Sequence, residues 1–307
     1  MKVLFVSSGN SKDGISPITL NQGESLKSQG VFIEYYTLKG KGIIGYFHNV
    51  LPLRKRLKKS KYDIVHAHYS LSSFVASLAG ASPLIVSLMG SDVKASPFYK
   101  IFIKFFARNI WKVTIVKSND MAESLGVKDA IVIPNGVDFN RFKPLDKIDC
   151  QKQLGWNYNK KHILFAANPD REEKNYKLAA GAITILNDSN IVVHFLKDVH
   201  NKEVALHYNA ADVVLLTSLW EGSPNVIKEA MACNRPIVAT DVGDIAEVIS
   251  GVKGCYVCEF NEHDLAGKIH LALDFNTTNG RNKIENLSAD KIADRIIKIY
   301  NNIKNSG

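Results

Sequence analysis

Residues 210–241, AADVVLLTSLWEGSPNVIKEAMACNRPIVATD, constrain this chain more than any other stretch. Asp212 to Thr217 is a nearly unbroken apolar run, the pattern of a parallel strand covered on both faces. Ser223 suits an N-cap and Pro224 the first helical position, where a missing N–H costs nothing, so a helix is predicted to start there. Val226, Ile227, Ala230 and Met231 give it an apolar face at helical spacing. Asn234 suits a left-handed stop, and Pro236 opens a second strand, Ile237 to Thr240. The stretch is a βαβ unit, so the chain is expected to build a parallel sheet flanked by helices.

Two carboxylates sit in this unit, Glu221 in the turn and Glu229 about two helical turns farther on. The free N–H groups of a helix's first turn attract an anion, so a phosphate placed there would have Glu221 beside it. Acceptors on either side of an anion pocket suit a ligand with hydroxyls at both ends of a diphosphate, which is the shape of a nucleotide sugar.

Strands and helices alternate through both halves. The opening strand Val3 to Ser7 leads through the loop Gly9 to Pro17 into a helix from Ile18 to Gln29, and SGNSKDGISP is not a dinucleotide fingerprint. Val31 to Thr37, Asp63 to His68, Pro83 to Leu88, Val113 to Lys117 and Ala130 to Ile133 read as further strands, and Lys39 to Gly45 as a glycine-rich turn. Pro134-Asn135-Gly136 dictates a turn between the two αβ halves and reads as the hinge. In the second half His162 to Ala167, Ile191 to Leu196 and Cys255 to Glu259 are predicted strands, and Ala289 to Ile303 a last helix. Arg171 and Lys174, at the mouth of a helix after the first of these strands, are placed to neutralise two phosphates.

Charge divides the chain. Residues 1–145 carry 20 Lys+Arg against 9 Asp+Glu, a balance of +11, while residues 146–307 carry 19 against 21, a balance of −2. The first half therefore suits an anionic partner. Its densest patch is Arg54, Lys55, Arg56, Lys58, Lys59 and Lys61, either a solvated helix face or a site for anionic lipid head groups. Residues 98–112 hold aromatic and apolar side chains at helical spacing, with Lys100, Lys104, Arg108 and Lys112 as a cationic stripe that could meet a membrane or a phosphorylated acceptor, while the apolar side is expected to be core. Nucleic acid is disfavoured because no recognised module accompanies the patch.

Cys150, Cys233, Cys255 and Cys258 fit a reducing compartment, and the lone CxxC pair lacks the partners of a zinc set. His66 and His68 share one strand face without a third ligand, so no metal is expected. No apolar run approaches the ~20 residues that span a bilayer, and MKVLFVSSGN reads as a strand rather than a leader; a cytoplasmic protein is expected, possible contact being with the inner membrane face.

Glu221-Gly222-Ser223-Pro224 through Glu229-Ala230-Met231-Ala232 resembles the Glu, seven residues, Glu motif of the retaining glycosyltransferases of family 4. Pro134-Asn135-Gly136-Val137-Asp138 is similar to that family's linker, and DIVHAH followed by Gly90-Ser91-Asp92 to its first domain, although Met89 stands where many members have His. The resemblance implies an α/β chain of GT-B architecture, two Rossmann-like parallel-sheet domains facing across a cleft: 1–143 binding the acceptor, 144–288 binding the donor, and 289–307 as a helix packing back toward the first. It implies no cofactor and a nucleotide diphosphate-sugar as donor substrate, with Arg171 and Lys174 on the phosphates, Glu221 on sugar hydroxyls and Glu229 on the ribose. Gly222, Ser223, Pro224, Asn225 and Val226 would line the donor, and Gly14 would stand in the family's glycine loop. The expected reaction is retaining, metal-independent transfer to a saccharide or lipid-linked saccharide in cell-surface polysaccharide synthesis. A nucleotide-sugar epimerase on the same fold, or a catalytically silent subunit, is the alternative.

Overall fold

The computed structural model describes residues 1–11, 14–40, 42–90, 92 and 96–305. Ser91 of the Gly90-Ser91-Asp92 tract and two positions of the loop after the first strand, Lys12 and Asp13, lie outside the described residues. The chain forms two units, one of residues 1–136 with the segment from Ala289 onward, the other Val137–Ser288.

The first unit holds a parallel sheet of β1 (Lys2–Ser8), β2 (Phe32–Leu38), β3 (Ile64–His68), β4 (Leu84–Ser87), β5 (Val113–Val116) and β6 (Ile131–Val132), in the order β2-β1-β3-β4-β5-β6. Val3 pairs with Phe32's neighbour Ile33 on one side and Ile64 on the other. Val3 to Val6, Ile64 to His68 and Leu84 to Ser87 are buried throughout, which is why they read as uninterrupted apolar runs. The helices are α1 (Pro17–Ser28), α2 (Gly42–Phe47), α3 (Val50–Lys59), α4 (Ser70–Leu78), α5 (Pro97–Asn109) and α6 (Asn119–Leu125).

Of the predicted turn Lys39 to Gly45, Lys41 lies outside the described residues and Gly42 to Gly45 instead belong to α2. Gly40 and Gly42 take positive φ at its start, and a Cβ on Gly45 would lie 2.7 Å from the Gly40 backbone, so the glycines allow a close approach rather than a mere turn. Tyr46 then anchors α2 in the core. Helix α5 stops at Asn109, short of the predicted end, because Trp111 is drawn into the core and donates to Ser77 Oγ at 3.0 Å.

The second unit holds α7 (Lys147–Gln153), β7 (Lys161–Phe165), α8 (Tyr176–Leu186), β8 (Ile191–Phe195), α9 (Val204–Ala210), β9 (Val213–Leu216), α10 (Asn225–Ala232), β10 (Ile237–Thr240), α11 (Ile245–Ile249), β11 (Cys255–Cys258), α12 (Glu262–Ala272) and α13 (Gly280–Lys283). Its parallel sheet runs β11-β10-β9-β7-β8. Helix α12 lies where no helix is predicted from the sequence, and Asn261 caps it through the N–H groups of His263 and Asp264. The seam falls at 136/137 rather than 143/144, since Val137 and Phe142 bury in the second unit, where Phe142 meets the Tyr208 ring edge-on.

The last helix, α14 (Ala289–Asn305), belongs to the first unit. It buries Ile292, Ala293, Ile296 and Tyr300, and the Tyr300 hydroxyl lies 2.6 Å from His66 Nδ1. His66 Nε2 meets Ser87 Oγ at 2.8 Å, and burial holds the imidazole well below its ordinary pKa, so His66 is a neutral, satisfied core histidine.

One ion network closes the first sheet's edge. Glu34 on β2 accepts from Lys2 Nζ at 2.8 Å and Tyr62 at 2.6 Å and pairs with Arg56, which together lower its carboxyl from 4.5 to about 2. A depressed carboxylate contributes stability above its unfolded value and loses it as pH falls toward the folded one. Acidification from pH 4.5 to about 2 is therefore expected to lower the melting temperature of the wild type more than that of Glu34→Gln. Equal losses would show that the network carries no folding energy.

Candidate functional site

In the second unit the chain order reverses across β7, with β8 on one side and β9 on the other. Loops leaving the carboxyl ends of strands at such a switch point form the crevice where open α/β sheets bind ligands. The tract 166–175 leaves β7 there and 217–224 leaves β9. They are tied together: Thr217 Oγ1 donates to the carbonyls of Lys174 and Asn175 at 2.9 and 3.0 Å, and Leu219 N donates to Glu173 O at 2.9 Å. Asn175 takes a left-handed conformation between a short 3₁₀ turn and α8, which turns Lys174 back toward the β9 loop.

There Lys174 Nζ pairs with Glu221 Oε1 at 2.5 Å, and Ser218 Oγ donates to the same oxygen at 2.8 Å. Both partners are mostly buried, their side chains 13% and 17% exposed. Two of the three residues expected to act on the phosphates and the sugar hydroxyls thus meet directly. The third does not join them: the Arg171 guanidinium, 57% exposed, is paired with Glu173.

Helix α10 begins at Asn225 with Pro224 as its cap, one residue later than predicted, and Ser223 makes no capping bond. The Ser223 hydroxyl is used elsewhere, donating to Asp244 Oδ2 and accepting from Lys228 Nζ at 2.8 Å. Lys228 is fully buried, and burial lowers its ammonium from 10.5 to about 8 against the opposing pull of Asp244 and Glu229. Burial likewise raises the Asp244 carboxyl. Gly243, at φ 63°, lies so close to the Glu221-Gly222 turn that a Cβ would come within 2.5 Å of Gly222 O. The turn carrying Glu221 and Gly222 is therefore held by a buried Lys228-Ser223-Asp244 chain and by the glycine packed over it.

Glu229, on the fifth residue of α10, accepts from the Tyr208 hydroxyl at 3.0 Å. Burial raises its carboxyl, offset by that bond and by the nearby Arg141. Asn225, at the helix start beside Val226, has its side-chain Oδ1 buried with no hydrogen-bond partner in the structure. Gly14 lies in the first unit, at φ 83°, where its N–H donates to Ser11 O at 2.9 Å. Ser218, Tyr208, Arg141, Lys228 and Asp244 were not anticipated as site residues. A lysine between Ile227 and Glu229 on an otherwise apolar helix face was the signal for Lys228.

The first unit's basic tract is partly spent on its own fold. Arg54 donates to Leu78 O at 2.6 Å, and Arg56 is held by Tyr62 and Glu34, whereas Lys55, Lys59 and Lys61 are exposed. Asp92 is buried, accepts from Ser70 and from the Met89 N–H at 2.6 Å, and is pushed by burial up to about 6. Among the described residues no helix is long and apolar enough to cross a membrane.

Family models match most of the chain: one described as Glycosyltransferase Family 4 over residues 17–141 and one described as Glycosyl transferases group 1 over residues 158–274. The chain is 30% identical over 260 residues to the uncharacterized glycosyltransferase MJ1178 of Methanocaldococcus jannaschii, covering 74% of this chain and 70% of that one. It is 30% identical over 215 residues to the Bacillus subtilis protein named as the teichuronic acid biosynthesis glycosyltransferase TuaC, covering 61% of this chain and 55% of the relative, little more than half its length. It is 25% identical over 305 residues, 82% of this chain and 78% of the other, to the Escherichia coli UDP-Gal:alpha-D-GlcNAc-diphosphoundecaprenol alpha-1,3-galactosyltransferase. Among solved structures, sucrose-phosphate synthase from Thermosynechococcus elongatus superposes with a TM-score of 0.85 at 16% identity over 100% of both chains. Alr3699/HepE of Anabaena, solved with UDP and glucose, gives 0.76 at 17% identity over 97% of this chain and 98% of its own. At these identities the structural likeness establishes the fold.

Proposed function

Since this chain belongs to glycosyltransferase family 4 and has two parallel-sheet domains of the GT-B kind, we propose that it transfers a sugar, with retention, from a nucleotide diphosphate-sugar to a hydroxyl of a saccharide or lipid-linked saccharide acceptor. The observation that carries the reading is the Lys174–Glu221 pair, set at the carboxyl ends of β7 and β9 and one turn before α10. Without a ligand each neutralises the other. A diphosphate entering beside the α10 N-terminus competes for the Lys174 ammonium and leaves Glu221 to accept from sugar hydroxyls.

Arg171 is exposed and paired with its neighbour Glu173, from which it can swing onto the second phosphate. The N–H groups of Ser223, Asn225 and Val226 face the same anion, the unpartnered Asn225 Oδ1 takes a ligand donor, and Glu229 accepts from the ribose. In the step itself the bond from the sugar's anomeric carbon to the phosphate oxygen breaks. The acceptor oxygen bonds to the same face of that carbon, and its proton passes to the departing diphosphate. Lys174 and Arg171 supply the positive charge the diphosphate needs, so the proposed step is metal-independent. The Anabaena neighbour holds UDP and the Escherichia coli relative is named for UDP-Gal, which favours a uridine nucleotide as donor. The names of the curated relatives favour cell-surface polysaccharide synthesis. The first unit's excess of cations favours work at the inner membrane face, with helix α5 toward anionic lipid.

A thermal-shift series with UDP, GDP, ADP and CMP tests the donor assignment. A ligand at 100 times its Kd adds about 2.7 kcal/mol, so one nucleoside diphosphate should raise the melting temperature of the wild type and not that of Glu229→Ala. A shift kept in full by Glu229→Ala would remove that residue from the donor site, and the absence of any shift would remove the donor.

A further inference from the structure

Helix α5 meets the expectation of a core face with Ile103, Tyr99 and Phe106 and departs from it on its outer face. Only Ile103 is fully buried, while Phe98, Ile101, Phe102 and Phe105 are 70%, 62%, 43% and 55% exposed. At 100° per residue these four share one stripe, and Lys100, Lys104 and Arg108, spaced four apart, run along its flank. Lys100 is spent on Ser124 Oγ at 3.1 Å. Lys104 and Arg108 instead line a cavity of about 150 Å³ where β5 and β6 begin, together with Lys112 and Lys128. Asp129 is the one acid among the lining residues. Among the described residues none of the four cations makes an ion pair. Gly126, at φ 63°, packs against the Lys104 side chain, since a Cβ there would fall 2.3 Å from Lys104 Cε.

Four cations around a phosphate-sized hollow call for an anion; an exposed aromatic and aliphatic stripe beside them calls for hydrocarbon. A soluble phosphate uses the first and leaves the second in water. We propose that this cavity is a headgroup site for an anionic phospholipid, its phosphate held by Lys104, Arg108, Lys112 and Lys128, with Phe98, Ile101, Phe102 and Phe105 set into the acyl boundary. The inference deepens the membrane part of the proposed function and rests on it. It locates the contact on α5 and the β5–β6 edge rather than on α3, where Arg54 and Arg56 are already engaged.

The test is co-sedimentation of the full chain with phosphatidylglycerol vesicles, with pure phosphatidylcholine vesicles as comparison. The wild type is expected to sediment with the former only. Lys104→Ala/Lys128→Ala should partition roughly thirtyfold more weakly, at one cation's contribution each. Phe102→Ser/Phe105→Ser should lose binding with every cation in place, and Lys55→Ala/Lys58→Ala/Lys59→Ala should keep most of it. All the changed side chains are exposed, so unchanged melting temperatures are expected and confirm folded variants. If only the α3 variant loses binding, the α5 site is overturned while membrane attachment stands. If inorganic phosphate releases the protein and the phenylalanine variant binds as well as wild type, the cavity is a soluble-anion site and the lipid assignment is wrong. No sedimentation with either vesicle overturns the site and the membrane reading together, leaving the donor assignment to the nucleotide series.

Discussion

Lys174→Ala is expected to lower turnover by about 10²–10³, the cost of removing one preorganised group that stabilises developing negative charge in a water-poor site. The geometry explains why so much rests on it. Arg171 is exposed and paired with Glu173, whereas Lys174 is mostly buried and held in place by the Thr217 bond to its own carbonyl and by the left-handed Asn175 behind it. Its stability cost should be moderate: the change leaves Glu221 mostly buried without its cation, but the carboxylate keeps the Ser218 hydroxyl. Single-turnover kinetics with saturating donor, run below the variant's melting temperature, should therefore show slow chemistry in a folded protein. Lys174→Arg should recover part of the rate, since the charge returns with altered geometry. Full turnover in Lys174→Ala would end the assignment of this residue to the leaving group.

Much of this site was legible before the fold was in hand, because it lies on elements with strong local signals. β9 and β10 are short apolar runs bounded by turn residues, and the turn between them must end in a helix because Ser223-Pro224 and the apolar positions after it agree. What the sequence did not carry is which polar side chains find one another. Ser223 has the chemistry of an N-cap, yet its hydroxyl is taken by Asp244, twenty-one residues away, and by Lys228. Arg171 and Lys174 look equivalent at three residues' spacing, and only the 3₁₀ turn between them sends one to Glu221 and the other to Glu173. On α5 the expected core face holds for Ile103, Tyr99 and Phe106, while Phe98, Ile101, Phe102 and Phe105 stay exposed: aromatic residues at helical spacing define an apolar side without saying how much of it the protein covers. Asn261 before Glu262-His263-Asp264 and the apolar positions Leu265, Ala266 and Ile269 carry the local signal for α12, a cap followed by helical spacing.

Lys228 should give the largest stability effect. Its ammonium is enclosed by α10 and by the loop before α11, with Ser223 Oγ at 2.8 Å and the carboxylates of Asp244 and Glu229 as the charges acting on it. Removing one member of a buried charged cluster leaves the other desolvated without compensation, at a cost of about 3–5 kcal/mol. Lys228→Met, which keeps most of the volume, isolates that electrostatic part from the cavity left by Lys228→Ala. The pH dependence carries a definite sign. Burial lowers the folded-state ammonium from 10.5 to about 8, so between these values the unfolded chain holds the extra proton. By linkage this group makes unfolding free energy rise with pH across that window, and below about 8 the full cost of the buried charge is borne. Denaturant titrations between pH 8 and 10.5 should therefore show a more positive slope in the wild type than in Lys228→Met. Donor affinity should run the other way, falling in the wild type above pH 8 as Lys228 loses the charge that holds Ser223 and Asp244 in register with the Glu221-Gly222 turn. A merely structural lysine would leave the donor profile flat through that range. Parallel slopes and a flat profile together would show that Lys228 neither titrates there nor positions the turn.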